Sequence, residues 1–393
     1  MGIVIALLGV VLLVSVLVDG FETIALPRRV TRRLRLTRLF YRGLWRPWAT
    51  IARVLPDGKS RDTYLGYFGP LSLFLLLSVW AVGLIVGFAL LHWGLGSSLH
   101  APDETVGFGT DLYLSGTTFF TLGLGDVTPR APLAKFLTVS EAGIGFGFLA
   151  GVIGYLPVLY QAFSRREVII SLLDARAGSP PSATELVRRH SQDHGMDSLC
   201  KLLQDWEIWA AELMESHLSY PMLAFYRSQH SHQSWLAALT TILDCSALVL
   251  AGLPGTCQYQ ARLTFAMARH AVVDLAQIFN VPPRRPPEDR LPAALFAEVY
   301  ATLAATGVPL GEEAVAYPQL VELRRLYEPY VQMLASYLGL LVPPWMGDGR
   351  RLDNWQTSPW EHSPRPNSTA VLEGAKRAQS QGPAPATHTP RQS

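Results

Sequence analysis

Charge is what this chain has least of: only 16% of its 393 residues are Asp, Glu, Lys or Arg, against about a quarter in soluble proteins. The shortage is local. The first 165 residues hold three long apolar stretches, and the rest reads as a soluble domain followed by a polar tail. Cysteine is scarce too. Cys200, Cys245 and Cys257 show no metal-ligand spacing, and their odd number offers no disulfide framework, so reduced thiols in a cytosolic domain are expected. A phosphate-binding glycine loop, a dinucleotide fingerprint and a hydrolase elbow are all missing. The chain is therefore not expected to be an enzyme, and no cofactor is expected. His190 and His194 stand four apart, but no third ligand follows at a recognisable spacing, so they read as surface histidines. His230 and His232 read the same way.

Residues 3–18 are an uninterrupted apolar run that continues weakly to Leu26; a membrane-spanning helix needs about 20 such residues. No basic residue precedes the run and no small-residue cleavage site follows it, which predicts an uncleaved anchor rather than a signal peptide. Arg28, Arg29, Arg32, Arg33, Arg35, Arg38, Arg42 and Arg46 come next, with no acid between Glu22 and Asp57. The positive-inside rule then puts the amino terminus outside and the arginines in the cytoplasm. Val30, Leu34, Leu36, Leu39, Phe40, Leu44 and Trp45 are interleaved with them. That mixture predicts a helix on the inner leaflet with anionic lipids at Arg28–Arg46 as partners, and no nucleic acid. Asp19 and Glu22 are expected to pair with these arginines.

A second span is expected from Pro70 to Trp93, with the proline in its first turn. A third is expected over 133–161, ending in Ser164-Arg165-Arg166. The segment between them, 94–132, carries Asp103, Glu104, Asp111 and Asp126 against Arg130 alone, as an outer loop should. All three flanks agree on a multi-pass protein of the cell membrane whose carboxyl-terminal domain is cytoplasmic.

Residues 111–120 suffice for a half-span helix, and Thr121-Leu122-Gly123-Leu124-Gly125-Asp126 follows it. Non-helical backbone at membrane depth is tolerated only where protein buries it or water lines it. Glycine at every second position lets successive carbonyls point one way, because glycine reaches positive φ without penalty. A ring of carbonyls can replace an ion's hydration shell, and the carboxyl end of the half-span helix favours a cation.

The pattern Thr118-x-x-Thr121-x-Gly123-x-Gly125-Asp126, followed by Pro129, resembles the signature of the potassium-channel pore-domain family, over roughly residues 65–165. The resemblance implies a filter of Thr121, Leu122, Gly123, Leu124 and Gly125. Its ions would meet the main-chain carbonyls of the first four and the Thr121 hydroxyl. Thr118 would pack the pore helix against the filter, and Asp126 would hold the outer mouth by hydrogen bonds. One loop per chain implies a homotetramer with permeant potassium ions, since no second loop occurs. Leu124 departs from the usual aromatic residue, as the second loops of some two-pore-domain potassium channels do, and removes the hydroxyl that braces such filters from behind.

Glu141 stands within the third span. It is expected either to brace the filter by accepting hydrogen bonds from Thr117 or Ser115, or to face the cavity and attract cations. Gly145, Gly151 and Pro157 are the candidate gating positions; the competing reading is that the glycines let helices pack closely. Pro157 is expected to kink the inner end.

The fold class expected is an all-α membrane protein: a two-helix-plus-pore-loop potassium channel fold with an extra amino-terminal span and a cytoplasmic helical bundle. Its parts are a first helix (1–26), a basic juxtamembrane segment (27–66), a pore domain (67–165), a helical domain (166–345) and a disordered tail (346–393). In the pore domain the outer helix is 70–93, the pore helix 111–120, the filter 121–126 and the inner helix 133–161. In the helical domain, breaks are expected at Gly178–Pro181, Gly252–Gly255 and Val281–Pro287, and a kink at Pro329. Residues 235–253 are expected to be a buried helix rather than a fourth span. Three functions are weighed: a tetrameric potassium-selective channel, a weakly selective cation channel, and a membrane-anchored signalling or binding protein with a vestigial pore.

Overall fold

A computed structural model describes residues 1–24, 26, 35–56, 58–101, 106–193, 196–229, 233–255, 257–284 and 288–347. Arg28, Arg29, Arg32, Arg33, His194, His230, His232 and the tail beyond residue 347 lie outside the described residues.

Helix α1 (Gly2–Ile24) is apolar as far as Val18 and packs along the carboxyl-terminal half of α3 (Lys59–Gly94). Small residues let the two backbones touch: a Cβ on Gly9 would lie 2.7 Å from the Gly87 carbonyl oxygen. Near its carboxyl end Asp19 is buried. Its Oδ2 accepts hydrogen bonds from the Thr37 amide (3.0 Å), the Thr37 hydroxyl (2.6 Å) and Trp80 Nε1 (3.0 Å). Arg35 approaches Glu22 at 3.5 Å and Asp19 at 3.9 Å, so the acids do meet an arginine of the basic segment.

Thr37 opens α2 (Leu36–Val54). The aromatic face of this helix turns inward, where Trp45 meets Phe68 and Phe225, and Trp48 stacks on Tyr64. The α3 helix starts at Lys59, ahead of the expected Pro70, which falls inside it. Proline tolerates this position because burial of Leu65 and Phe68 in the helical domain offsets one lost backbone bond.

The pore helix α4 (Phe108–Phe119) precedes the filter, and α5 (Pro132–Ala177) follows it. Leu99–His100, ahead of α4, and Thr128–Pro129, between the loop and α5, pair as short antiparallel strands, β1 and β2. The helix α5 does not end near residue 161. It runs unbroken through Pro157 for 46 residues, because Ile170, Leu173 and Ala177 continue its apolar stripe into the core of the helical domain.

That domain adds α6 (Ala183–Asp193), α7 (Met196–Ser219), α8 (Trp235–Gly252), α9 (Gln258–Phe279), α10 (Ala293–Ala304), α11 (Glu313–Arg325) and α12 (Glu328–Leu338). A 3-10 turn at Pro221–Phe225 lies between α7 and α8. The helix α8 is apolar enough to cross a membrane, but its sides are buried by α6, α7, α9 and α11; it is the core of the bundle. Pro329 begins a separate helix where a kink was expected. Two tertiary pairings stand out, and the first overturns the expected reduced thiols. Cys200 and Cys257 are joined by a disulfide, their Cα atoms 5.3 Å apart, because α7 and α9 lie side by side; only Cys245 is free, and it is buried. The second is a buried ionic cluster: Arg290 bridges Asp244 (2.7 Å) and Glu328 (2.9 Å), and the Tyr327 hydroxyl donates to Asp244.

Candidate functional site: the pore loop

The last turn of α4 sets the filter backbone. The Thr117 carbonyl accepts from the Leu122 amide (2.8 Å) and the Gly123 amide (3.4 Å), and the Thr118 carbonyl from Thr121 N (3.0 Å). With these N–H groups turned back onto the pore helix, the carbonyls of the same stretch point away from it. Positive φ recurs at every second residue, Thr121 (56°), Gly123 (54°) and Gly125 (83°). Alternating hand along a backbone gathers its N–H groups on one side and so its carbonyls on the other. Two of the three positions are glycine, where this is free. Thr121 bears a cost of about 1–2 kcal/mol, a local strain of the kind found at functional sites. Thr121 to Asp126 are all exposed, with Leu122 at 58% and Leu124 at 63%.

Thr117 acts here through its main chain. Its hydroxyl donates within its own helix, to the Tyr113 and Leu114 carbonyls (both 3.0 Å). Asp126 takes a hydrogen bond from the Val127 amide (3.0 Å) and another from the Tyr113 hydroxyl (2.7 Å). The Tyr113 hydroxyl, helped by that amide, holds the Asp126 carboxyl below the usual range. Tyr113 is the residue that sequence reasoning missed. Leu124 brings no hydroxyl to the loop, and Tyr113 of α4 supplies one at Asp126 instead. The available signal was a tyrosine one turn into a helix that ends at the filter.

Glu141 is completely buried (0% exposed) on α5, facing Ser115 of α4. The Ser115 hydroxyl is the side chain that approaches the Glu141 carboxyl group, short of strict hydrogen-bond geometry, whereas the Thr117 hydroxyl is turned to its own helix and does not reach it. Complete burial within a single chain also rules out a carboxylate open to the cavity. Above it on α4, Asp111 is buried and accepts from the Ser97 hydroxyl (2.6 Å).

Gly145 has a packing reason. A Cβ there would lie 2.3 Å from the Phe119 carbonyl oxygen, against the last turn of the pore helix. A Cβ on Gly151 would meet nothing within 4 Å. Pro157 lies between Tyr155 and Leu159, both buried; the Tyr155 hydroxyl reaches Met222 Sδ at 3.4 Å. Farther down, Arg166 donates to the carbonyls of Leu223 (2.9 Å) and Tyr226 (2.8 Å), tying α5 to the 3-10 turn. His190 is half-buried, its Nδ1 2.7 Å from the Leu186 carbonyl oxygen. No group of three or more His, Cys, Asp or Glu residues suited to a metal occurs among the described residues.

A half-span helix whose carboxyl end presents an alternating-hand loop between two spanning helices defines an ion-channel pore domain. Residues 74–161 match the family model described as an ion channel, so this stretch is an ion-channel pore domain in a helical membrane protein. The chain is also 25% identical over 227 residues to the "Uncharacterized membrane protein YdjJ" of Bacillus subtilis (strain 168), covering 57% of this chain. It spans 63% of that relative, less than two thirds of its length. No solved structure matches.

Proposed function

We propose that four copies surround one axis and form a potassium-selective channel through which ions pass passively down their gradient. The observation that carries this is the alternation of hand at Thr121, Gly123 and Gly125. It aims a row of carbonyls to one side, the arrangement that replaces a potassium ion's water. One chain contributes one wall of such a filter. The exposed apolar surface of α5 at Phe146, Leu149 and Ile153, beside an equally exposed filter, fits contact with neighbouring copies and lipid. The positions proposed to bind ions are Thr121, Leu122, Gly123, Leu124 and Gly125, supported by Thr117, Thr118, Tyr113 and Asp126.

Arginines flanking the spans support an amino terminus outside the cell membrane and the helical domain in the cytoplasm. The Cys200–Cys257 disulfide is the one feature against this, since such bonds are rare in the cytosol; the charge of two flanks outweighs one bond. A weakly selective cation channel is the second reading, favoured by Leu124, which is exposed and has no hydroxyl.

The test is the reversal potential of the purified full chain in planar bilayers, with potassium on one side and sodium on the other. A reversal at the potassium equilibrium potential supports the first reading. One near zero supports the second. Currents from the wild type that persist unchanged in both Gly123→Ala and Gly125→Ala would remove the filter from the account.

A further inference from the structure

We propose that the outward face of α2 binds the anionic headgroups of the leaflet at which α1 ends. This goes beyond the conduction reading and does not require a working filter. The helix carries Arg38, Arg42, Arg46 and Arg53 and no acid. Its inward arc is committed elsewhere: Tyr41, Leu44, Trp45, Trp48 and Ala52 pack toward α3 and the helical domain. The outward arc is divided lengthwise. Arg42, Arg46 and Arg53, all exposed and spaced by four and seven, fall along one edge at 3.6 residues per turn. Leu39, Val54 and Ile51, also exposed, fan out beside that edge over about 120° of the helix surface.

The position of the helix selects the partner. Thr37, in its first turn, is bonded to Asp19 near the end of α1, so α2 begins where a membrane-spanning helix leaves the bilayer. A helix lying at that boundary places apolar side chains toward the acyl region and guanidinium groups at phosphates, which they recognise through paired N–H donors. A soluble acidic partner or a nucleic acid would satisfy the arginines and leave Leu39, Ile51 and Val54 in water. The grip also reaches inward, since Trp45 Nε1 donates to the Tyr337 carbonyl on α12 (2.9 Å).

The experiment uses the full chain in phosphatidylcholine vesicles, with spin-labelled phosphatidylglycerol and spin-labelled phosphatidylcholine compared for motionally restricted sites on the protein. The wild type is expected to prefer phosphatidylglycerol, with the preference falling in high salt. The triple variant R42Q/R46Q/R53Q is expected to lose up to about fivefold for each arginine, and R42K/R46K/R53K to keep most of the preference. Equal occupancy by the two lipids, or a glutamine variant indistinguishable from wild type, overturns the proposal. Should the glutamine variant fail to fold, a wild-type preference insensitive to salt overturns it as well. Tighter binding of heparin than of phosphatidylglycerol vesicles would replace lipid with a soluble polyanion. Currents recorded from the same vesicles separate the two claims. Silence with lipid preference intact sinks only conduction, and conduction without preference sinks only the lipid surface.

Discussion

Replacing Gly145 by alanine puts the two readings of that glycine in direct opposition. An added Cβ would sit 2.3 Å from the Phe119 oxygen and 3.0 Å from its carbonyl carbon. Both are backbone atoms of the turn that delivers the filter, so no side chain can swing aside. Either α5 retreats by roughly 1 Å or the end of the pore helix does, and overpacking of this kind costs about 1–3 kcal/mol. Alanine's better helix propensity returns only about 1 kcal/mol, so the net sign is destabilising. At Gly151 nothing opposes the methyl, and G151A is expected to be neutral or up to about 1 kcal/mol more stable. The assay is thermal unfolding of both variants in detergent, followed by reversal potentials in bilayers. G145A is expected to melt earlier and to shift the reversal potential toward zero, because Phe119 lies two residues before Thr121. A G145A protein with wild-type melting and selectivity but altered opening would refute the packing argument and restore the hinge.

Three further outcomes follow from the same geometry. In Tyr113→Phe, Asp126 loses the hydrogen bond that lowers its pKa. The stabilisation by this carboxylate is present above its ordinary pKa and is lost as pH falls through the depressed value, so the acid-induced loss of current should begin at a higher external pH than in wild type; an unchanged pH profile would count against the brace. His217 is buried beside Arg166, and burial first, the guanidinium second, push it down to about 3. Between pH ~6.5 and about 3 only the unfolded chain takes up that proton, so stability should fall on acidification by at most about 1.4 kcal/mol per pH unit, and His217→Gln should flatten that slope in denaturant titrations. Arg290→Met leaves Asp244, which is fully buried, without its main counter-charge; removing one partner of such a pair costs about 3–5 kcal/mol, to be read as a fall in Cm of the helical domain.

What could be read in advance divides along physical lines. The first span and the loop at 121–126 were legible because each is a local signal: an apolar run, and a glycine alternation after a half-span helix. The helix α8 was legible as core despite its hydropathy, since Asp244 and Cys245 interrupt the run. Boundaries fared worse. Pro70 looks like a first turn, and only the burial of Leu65 and Phe68 by distant segments keeps the helix going on its amino-terminal side. Membrane-like composition stops at 161, yet the stripe of Ile170, Leu173 and Ala177 carries α5 on. Partnerships across the chain were invisible: Tyr113 with Asp126, Arg290 with Asp244, Cys200 with Cys257. None has a spacing that announces it, because tertiary packing alone brings the two ends together. Glu141 was visible as an anomaly, but its direction was not, since that depends on how α5 rotates against α4.

The uninterrupted α5 makes the chain's two halves share a phase as well as a backbone. Forty-six residues at 1.5 Å each give a rod of about 69 Å, over twice the hydrocarbon thickness of about 30 Å. Its upper part is registered by Gly145 against Phe119, and its lower part by Arg166 against Leu223 and Tyr226. One residue inserted between these points would turn the helical domain by about 100° relative to the filter, whereas seven would return it to nearly the same azimuth. Because α3 enters the same core through Leu65 and Phe68, an insertion confined to α5 also strains that second attachment, so the two halves are tied in distance as well as in azimuth.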